Sequence, residues 1–432
     1  MVEAATPNER RARRERPRPL EALVRPGGFD VADVELFNPL ESETLADPYP
    51  IYRRMRQQAP VLKSPYGVWL VTGYTAATTI LRDHERFSVD HSNRREPDEA
   101  TEPQGPGPVE RGMENIMLFK DPPDHTRLRT LVNKAFTPRV VESLRTRIKA
   151  IVDELLDEVE VRSEMDVIPE FAYPLPVRVI AELLGVPPED RDTFKTWSRG
   201  VAPILDPVIS DEVFAKVAES GLMLAVYFDE LVQKRRAEPR NDLVTELIRA
   251  EDEGERLTEE ELRATLILLL VAGHETTMNL IGNGLLALLR HPDELARLRE
   301  QPELIRTGVD ELLRYDGPVH LTARTALTDS DIAGVTIRKG EMAIVLLSAA
   351  NRDPDQFPDP DRLDVGRSPN KHLAFSAGGH FCVGATLARV EGQIAFDALV
   401  RRFPNIVLAT DEVRYRPTVT LRGLDALPVM LT

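Results

Sequence analysis

A chain of 432 residues is long enough to bury a large core, as one big domain or about two to three average ones. Its 42% hydrophobic and 29% charged residues exclude a disordered or fibrous class, and a net charge of −16 excludes general nucleic-acid binding by the body of the protein, since phosphate contact needs a basic footprint. A single cysteine excludes an internal disulfide and fits a reducing compartment.

Residues 1–30 read as a basic, disordered tail, with Arg10, Arg11, Arg13, Arg14, Arg16 and Arg18 set against Glu9 and Glu15. No apolar segment follows it, so neither a secretory nor a twin-arginine signal is supported. Residues 31–432 read as a single domain. "VLKSPYGVWLVTGY" predicts a hairpin around Ser64-Pro65-Tyr66-Gly67. The charged, Pro/Gly-rich stretch from Asp90 to Gly112 predicts a long loop or mobile lid. Leu144, Ile148, Ile151, Leu155 and Val159 recur at three- and four-residue steps and predict a helix.

A longer helix is predicted from Thr258, whose pairing with Glu261 is a capping-box signature, to Pro292. Its apolar run from Leu266 to Gly273 is too short to span a bilayer, which needs about 18 residues, so the chain reads as cytoplasmic with no membrane anchor. The middle of this helix is poorly written for a buried pillar: Gly273 costs about 1 kcal/mol relative to Ala, and Glu275 and Thr276 place polar groups in an apolar run. Ala272 and Thr276 share a face beside Gly273, leaving a pocket next to a hydroxyl, suited to a small ligand and a proton relay. The alternative is a packing notch in which Thr276 bonds back to the preceding turn. Further on, Glu311 and Arg314 lie one turn apart, a pairing that alone means little. "VTIRKGEMAIVLLS" predicts a second hairpin, around Lys339-Gly340.

Cys382 stands in "AFSAGGHFCVGATLARVE", with His380 two residues before it and Gly378, Gly379 and Gly384 around it. A lone cysteine is commonly a small buried hydrophobe. Here the glycines and the start of the following helix would turn N–H groups toward the sulfur and favour a thiolate, which suits a metal needing one strong axial ligand. Structural zinc fails for want of further thiolates, and catalytic zinc because no second histidine follows His274 by four residues. A hydrolase nucleophile at Ser376 fails because the only later histidine, His380, is too near to close a triad.

Together these residues resemble the cytochrome P450 family, from about Asp47 onward. "FSAGGHFCVG" matches the family's cysteine loop at Phe375, Gly378, His380, Cys382 and Gly384; "AGHETT" matches its oxygen-activating motif, "ELLR" its E-x-x-R and "HTRLR" its H-x-x-x-R. The resemblance implies a mainly α fold with small β-sheets and a long central helix over a haem. It implies that Cys382 ligates the iron of haem b (iron protoporphyrin IX), with His125, Arg129, Arg324 and His380 holding the propionates. Glu275 and Thr276 would pass protons to dioxygen, with Ala272 and Gly273 leaving it room. Glu311 and Arg314 would form a buried network with Arg352 or Arg367 as its third member. Leu268, Val271, Ala272 and His320 would line the substrate pocket, His320 being either a substrate contact or a packed histidine.

The implied activity is that of a soluble bacterial-type monooxygenase, an oxidoreductase inserting one oxygen atom from O2 into an apolar organic substrate by hydroxylation or epoxidation. Electrons would come from a ferredoxin or flavodoxin with its reductase, docking near Arg127, Lys134, Lys371 and Arg389. A peroxide-driven haem-thiolate peroxygenase and a non-catalytic haem sensor are the alternatives. Neither gives Glu275 and Thr276 a task.

Overall fold

The computed structural model describes residues 38–65, 67–93, 115–206, 210–251 and 253–431. The expected tail at 1–30, and all but the first four residues of the expected loop from Asp90 to Gly112, lie outside the described residues. Helices dominate: α1 Ser42–Ala46, α2 Tyr49–Gln58, α3 Tyr74–Arg82, α4 Asp124–Ala135, α5 Pro138–Glu160, α6 Pro174–Leu183, α7 Arg191–Val201, α8 Asp211–Ala237, α9 Leu243–Arg249, α10 Glu259–Arg290, α11 Pro292–Glu300, α12 Ile305–Asp316, α13 Leu347–Ala350 and α14 Ala385–Arg402. The strands are β1 Val61–Lys63, β2 Trp69–Val71, β3 Phe87–Ser88, β4 Glu164–Asp166, β5 Leu321–Ala326, β6 Ser330–Ile332, β7 Val335–Ile337, β8 Met342–Leu346, β9 Val407–Leu408 and β10 Pro428–Met430.

The chain's local signals explain the main elements. Thr137 accepts from the Val140 N–H to start α5, whose Val141, Ile148, Ile151, Val152, Leu155, Leu156 and Val159 are buried. The capping box at Thr258 and Glu261 starts α10, which runs 32 residues, about 48 Å at 1.5 Å per residue. By length and apolarity α10 would also cross a membrane, but 72% of its most apolar window is buried inside the protein. It is a core pillar, packed by α6, α8, α12 and α14.

The larger sheet has the order β1-β2-β8-β5-β3. The hairpin expected at Ser64–Gly67 is present as antiparallel β1 and β2, with Gly67 at φ 82°. The hairpin expected at Lys339-Gly340 is not: β7 pairs with β6, while β8 pairs antiparallel with β5 and parallel with β2. All five residues of β8 are buried, so it takes the sheet interior with a partner on each side. The turn that makes the hairpin is Ala333-Gly334, at φ 49° and 85°, a two-residue reversal matched to strand twist.

Candidate active site

The segment before α14 is held by its own backbone. Cys382 N–H donates to Phe375 O (3.0 Å), Phe381 N–H to Gly378 O (3.1 Å) and Ser376 N–H to Leu373 O (2.8 Å). Gly378 sits at φ 72°, and a Cβ there would lie 2.5 Å from Leu81 O at the end of α3, so only glycine fits. Gly384 lies so close to the sulfur that a Cβ would be 3.9 Å from Cys382 Sγ. Cys382 keeps exposed surface although protein atoms crowd around its thiol. Burial pushes its thiol pKa up, against the pull of the Gly384 and Ala385 N–H groups and of Arg129 and Arg389. The loop's dipoles do favour the thiolate, but desolvation outweighs them, and a coordinated cation is what would tip the balance.

Around this cysteine the fold gathers basic side chains. His125 and His380 stack with ring centroids 3.9 Å apart, and each feels Arg129 and Arg324. Burial and these neighbours hold His125 below the usual histidine range and His380 down to about 3. Burial also lowers Arg324 to about 10; the guanidinium donates to Thr322 Oγ1 and Ala323 O. Arg129 donates to Phe381 O at 2.6 Å. Among the described residues no carboxylate forms a salt bridge with Arg129 or Arg324, and His125 Nε2 is buried without a partner. Two arginines and two imidazoles around a thiol, without a salt bridge to a carboxylate among the described residues although His125 and Arg324 feel Asp121, fit the two propionates and the iron of a haem.

Beneath the loop lies the E-x-x-R pair, fully buried. Arg314 Nε and Nη2 donate to Glu311 Oε2 and Oε1 at 2.7 and 2.8 Å. Arg367, not Arg352, is the third member, with Nε 3.1 Å from both Glu311 oxygens. Arg352 instead stacks between Tyr49 and Tyr315, 3.8 Å from each ring. Arg314 also donates to the carbonyls of Asn351, Pro360 and Arg362, and Asn351 Oδ1 accepts the Leu373 N–H. The network thus fixes the polypeptide leading into the cysteine loop.

In α10, Leu268, Ala272 and Thr276 recur at four-residue steps and, with Ile267 and Gly273, are only partly buried, while Val271 is buried. Thr276 Oγ1 donates to Ala272 O at 2.8 Å. The missing Gly273 side chain faces Ile180, whose Cδ1 would lie 3.3 Å from a Cβ, so close helix packing accounts for this glycine. His320 is buried against Tyr52, whose hydroxyl is 3.3 Å from Nδ1, with Asp316 3.9 Å from Nε2. Glu275 turns away from Thr276: its carboxylate is paired with Arg416, and His274 Nε2 lies 3.7 Å away.

Sequence reasoning missed three partners. Arg416 binds both Glu275 and Asn279 Oδ1. The signal was there, for Glu275, Asn279 and Asn283 are four apart, and a polar stripe on a core helix requires partners. The third is Glu391, on α14, pushed up to about 8 by burial and eased only by a hydrogen bond with Thr277. Its Oε2 has no partner.

Residues 201–417 match the family model described as Cytochrome P450. The chain is 46% identical over 391 residues to the biotin biosynthesis cytochrome P450 of Bacillus subtilis, covering 90% of this chain and 97% of that one. The chain belongs to the cytochrome P450 family. The cytochrome P450 monooxygenase PikC of Streptomyces venezuelae is 43% identical over 400 residues, covering 90% of this P450 and 92% of PikC. Among solved structures, P450BioI in complex with a hexadec-9Z-enoic acid ligated acyl carrier protein superposes with a TM-score of 0.83 at 44% identity, covering 90% of this chain and 99% of that one. This P450 has the family's mainly α fold. It is a haem-dependent monooxygenase that inserts one oxygen atom from O2 into an organic substrate with electrons from a redox partner. The relatives do not favour the peroxygenase or sensor alternatives.

Proposed function

We propose that this P450 binds haem b through Cys382 and oxidises an apolar organic molecule held beneath α10. The supporting observation is the cluster of His125, Arg129, Arg324 and His380, without salt bridges to carboxylates among the described residues, beside the lone thiol. Those four residues hold the propionates, Cys382 the iron, and Phe375, Gly378 and Gly384 the shape of the loop between them. The haem supplies the activation of dioxygen.

The protein's own residues handle the protons and the water. Ala272 leaves space, Thr276 offers a hydroxyl on the partly exposed face of α10, and Glu275 is the carboxyl that resupplies its proton. Leu268 and Val271 are apolar and continue along this part of the helix, which suits an apolar substrate. A ferredoxin or flavodoxin with its reductase is the electron source, and the enzyme works in the cytoplasm as a single domain from residue 31. Arg127 and Arg389 are already paired with Glu261 and Asp310, so charge is shared on the proposed docking side.

The test is the absorption spectrum of the reduced protein under carbon monoxide, beside Cys382→Ala. A strongly red-shifted Soret band that the substitution abolishes supports the assignment. A band that survives the substitution refutes it.

A further inference from the structure

We infer that protons reach Glu275 through a hydrated crevice under the C-terminal loop, and that Arg416 positions the carboxylate at the inner end of that crevice. The inference rests on Glu275 and Thr276 being the proton pair.

The crevice is lined by Tyr52, His320, Tyr415, Arg416, Thr418 and Arg422 among others, with about 20 Å3 of room. That admits water and no organic substrate. Among the described residues its walls carry buried polar atoms with no hydrogen bond of normal length: Arg416 Nε, and His320 Nε2, on a residue only 6% exposed, whose neighbouring carboxylate Asp316 stands off at 3.9 Å. Asn279 Nδ2, beside Arg416, is the third. Buried polar atoms are satisfied in folded proteins, by ordered water where protein groups are absent. Three orphans along one path from the crevice to α10 mark where such water stands.

Arg416 joins the two ends. Its side chain is 24% exposed where that of Glu275 is 9% exposed; Nη1 holds Glu275 and Nη2 holds Asn279. Gly423 presses its backbone onto this pair, since a Cβ there would lie 2.0 Å from Asn279 Oδ1 and 2.5 Å from Arg416 Nη2. The clamp leaves the guanidinium one place to be. His274, the other neighbour of Glu275, offers no rival entrance: it is fully buried and bonded to Leu270 O and Ser198 Oγ. A proton from bulk solvent, passed along the crevice water, protonates the Glu275 carboxylate; the carboxyl then swings from Arg416 toward Thr276 and gives that proton to the hydroxyl oxygen as the hydroxyl's own proton passes on to the ligand side, leaving Glu275 a carboxylate again. No group is consumed.

Two measurements on the holoenzyme test this. A high-resolution crystal structure should show ordered water within hydrogen-bonding distance of His320 Nε2 and Arg416 Nε; a dry crevice overturns the inference. In turnover with a coupled substrate, Arg416→Gln should lower product per electron pair about tenfold, less than the 10²–10⁴-fold worth of a positioned acid because Glu275 itself remains, release peroxide and raise the H2O/D2O rate ratio. Arg416→Lys, which keeps the charge, should restore most of the coupling, and His320→Leu should show a smaller loss of the same kind. Should Arg416→Gln couple like the parent enzyme while Thr276→Ala uncouples, the crevice is not the route. If Thr276→Ala itself stays coupled, the acid–alcohol reading fails and this inference falls with it.

Discussion

Arg367 reaches Glu311 evenly, its Nε 3.1 Å from each carboxylate oxygen, while Arg314 grips the same two oxygens from the other side. Glu311 therefore answers two guanidiniums at full burial, and the Asp364 N–H and Asn370 Nδ2 add further donors. Removing it strands a wholly buried arginine, which costs about 3–5 kcal/mol. Glu311→Ala should lower the thermal midpoint sharply and yield little haem-loaded protein. Arg367→Ala should be milder, since Arg314 stays paired, at about 1.5–3 kcal/mol for a lost charged hydrogen bond. Arg352→Ala, which touches Asp361 and the tyrosines rather than Glu311, should leave haem content near normal. Thermal melts and the Soret-to-protein absorbance ratio read all three.

Adjacent glycines of the cysteine loop should differ in tolerance. Gly378 has a positive φ and no space, whereas a Cβ on Gly379 would meet the His125 ring, Cε1 at 3.7 Å and Nδ1 at 3.9 Å, both ordinary contacts. Gly378→Ala should destabilise by about 1–3 kcal/mol and impair haem retention. Gly379→Ala should retain haem. Equal behaviour of the two variants in a haem-transfer assay would contradict this account of the loop.

The histidine pair makes a pH prediction for the apoprotein. His380 is held down to about 3 against an ordinary 6.5, mainly by burial and then by His125, Arg324 and Arg129. A depressed histidine binds fewer protons folded than unfolded, so stability is full above the unfolded value and declines as pH falls from about 6.5 toward 3. His125 is shifted in the same direction. Denaturant midpoints of the apoprotein should therefore drop between pH 7 and 4.5, and His380→Gln should flatten that slope. An unchanged slope in the variant removes His380 as a cause.

Much of this architecture was legible because it is written locally. The capping box and apolar run of α10, the apolar periodicity of α5, and the cysteine loop each depend on residues close in sequence. What escaped depends on distant partners. The strand after Lys339-Gly340 had a hairpin's composition, but five consecutive buried residues sent β8 between β2 and β5. The choice between Arg352 and Arg367 turns on which of two nearby guanidiniums reaches Glu311, and spacing is silent on that. Arg416 lies 141 residues from Glu275, so only folding shows the pair. Gly273 looked like space for a ligand, and Ile180, from another helix, faces it.

Thr276 carries the prediction closest to the chemistry. Its hydroxyl donates to Ala272 O, so in this state it fills the vacant bonding capacity of the preceding turn, which a hydroxyl in a helix does readily. The same oxygen can still accept a hydrogen bond, and turning the O–H away from Ala272 frees it to donate into the partly exposed side of α10. Thr276→Ala removes both capacities while deleting little packed volume, so fold, haem content and the substrate-induced spin shift should persist. Protons should then arrive out of step with electrons, and peroxide should replace product, by the 10²–10⁴-fold worth of a positioned acid at most. Thr276→Ser, which keeps the hydroxyl, should restore product. Stoichiometry of electron donor, oxygen, peroxide and product measures this directly, and a fully coupled Thr276→Ala would assign the hydroxyl to helix packing alone.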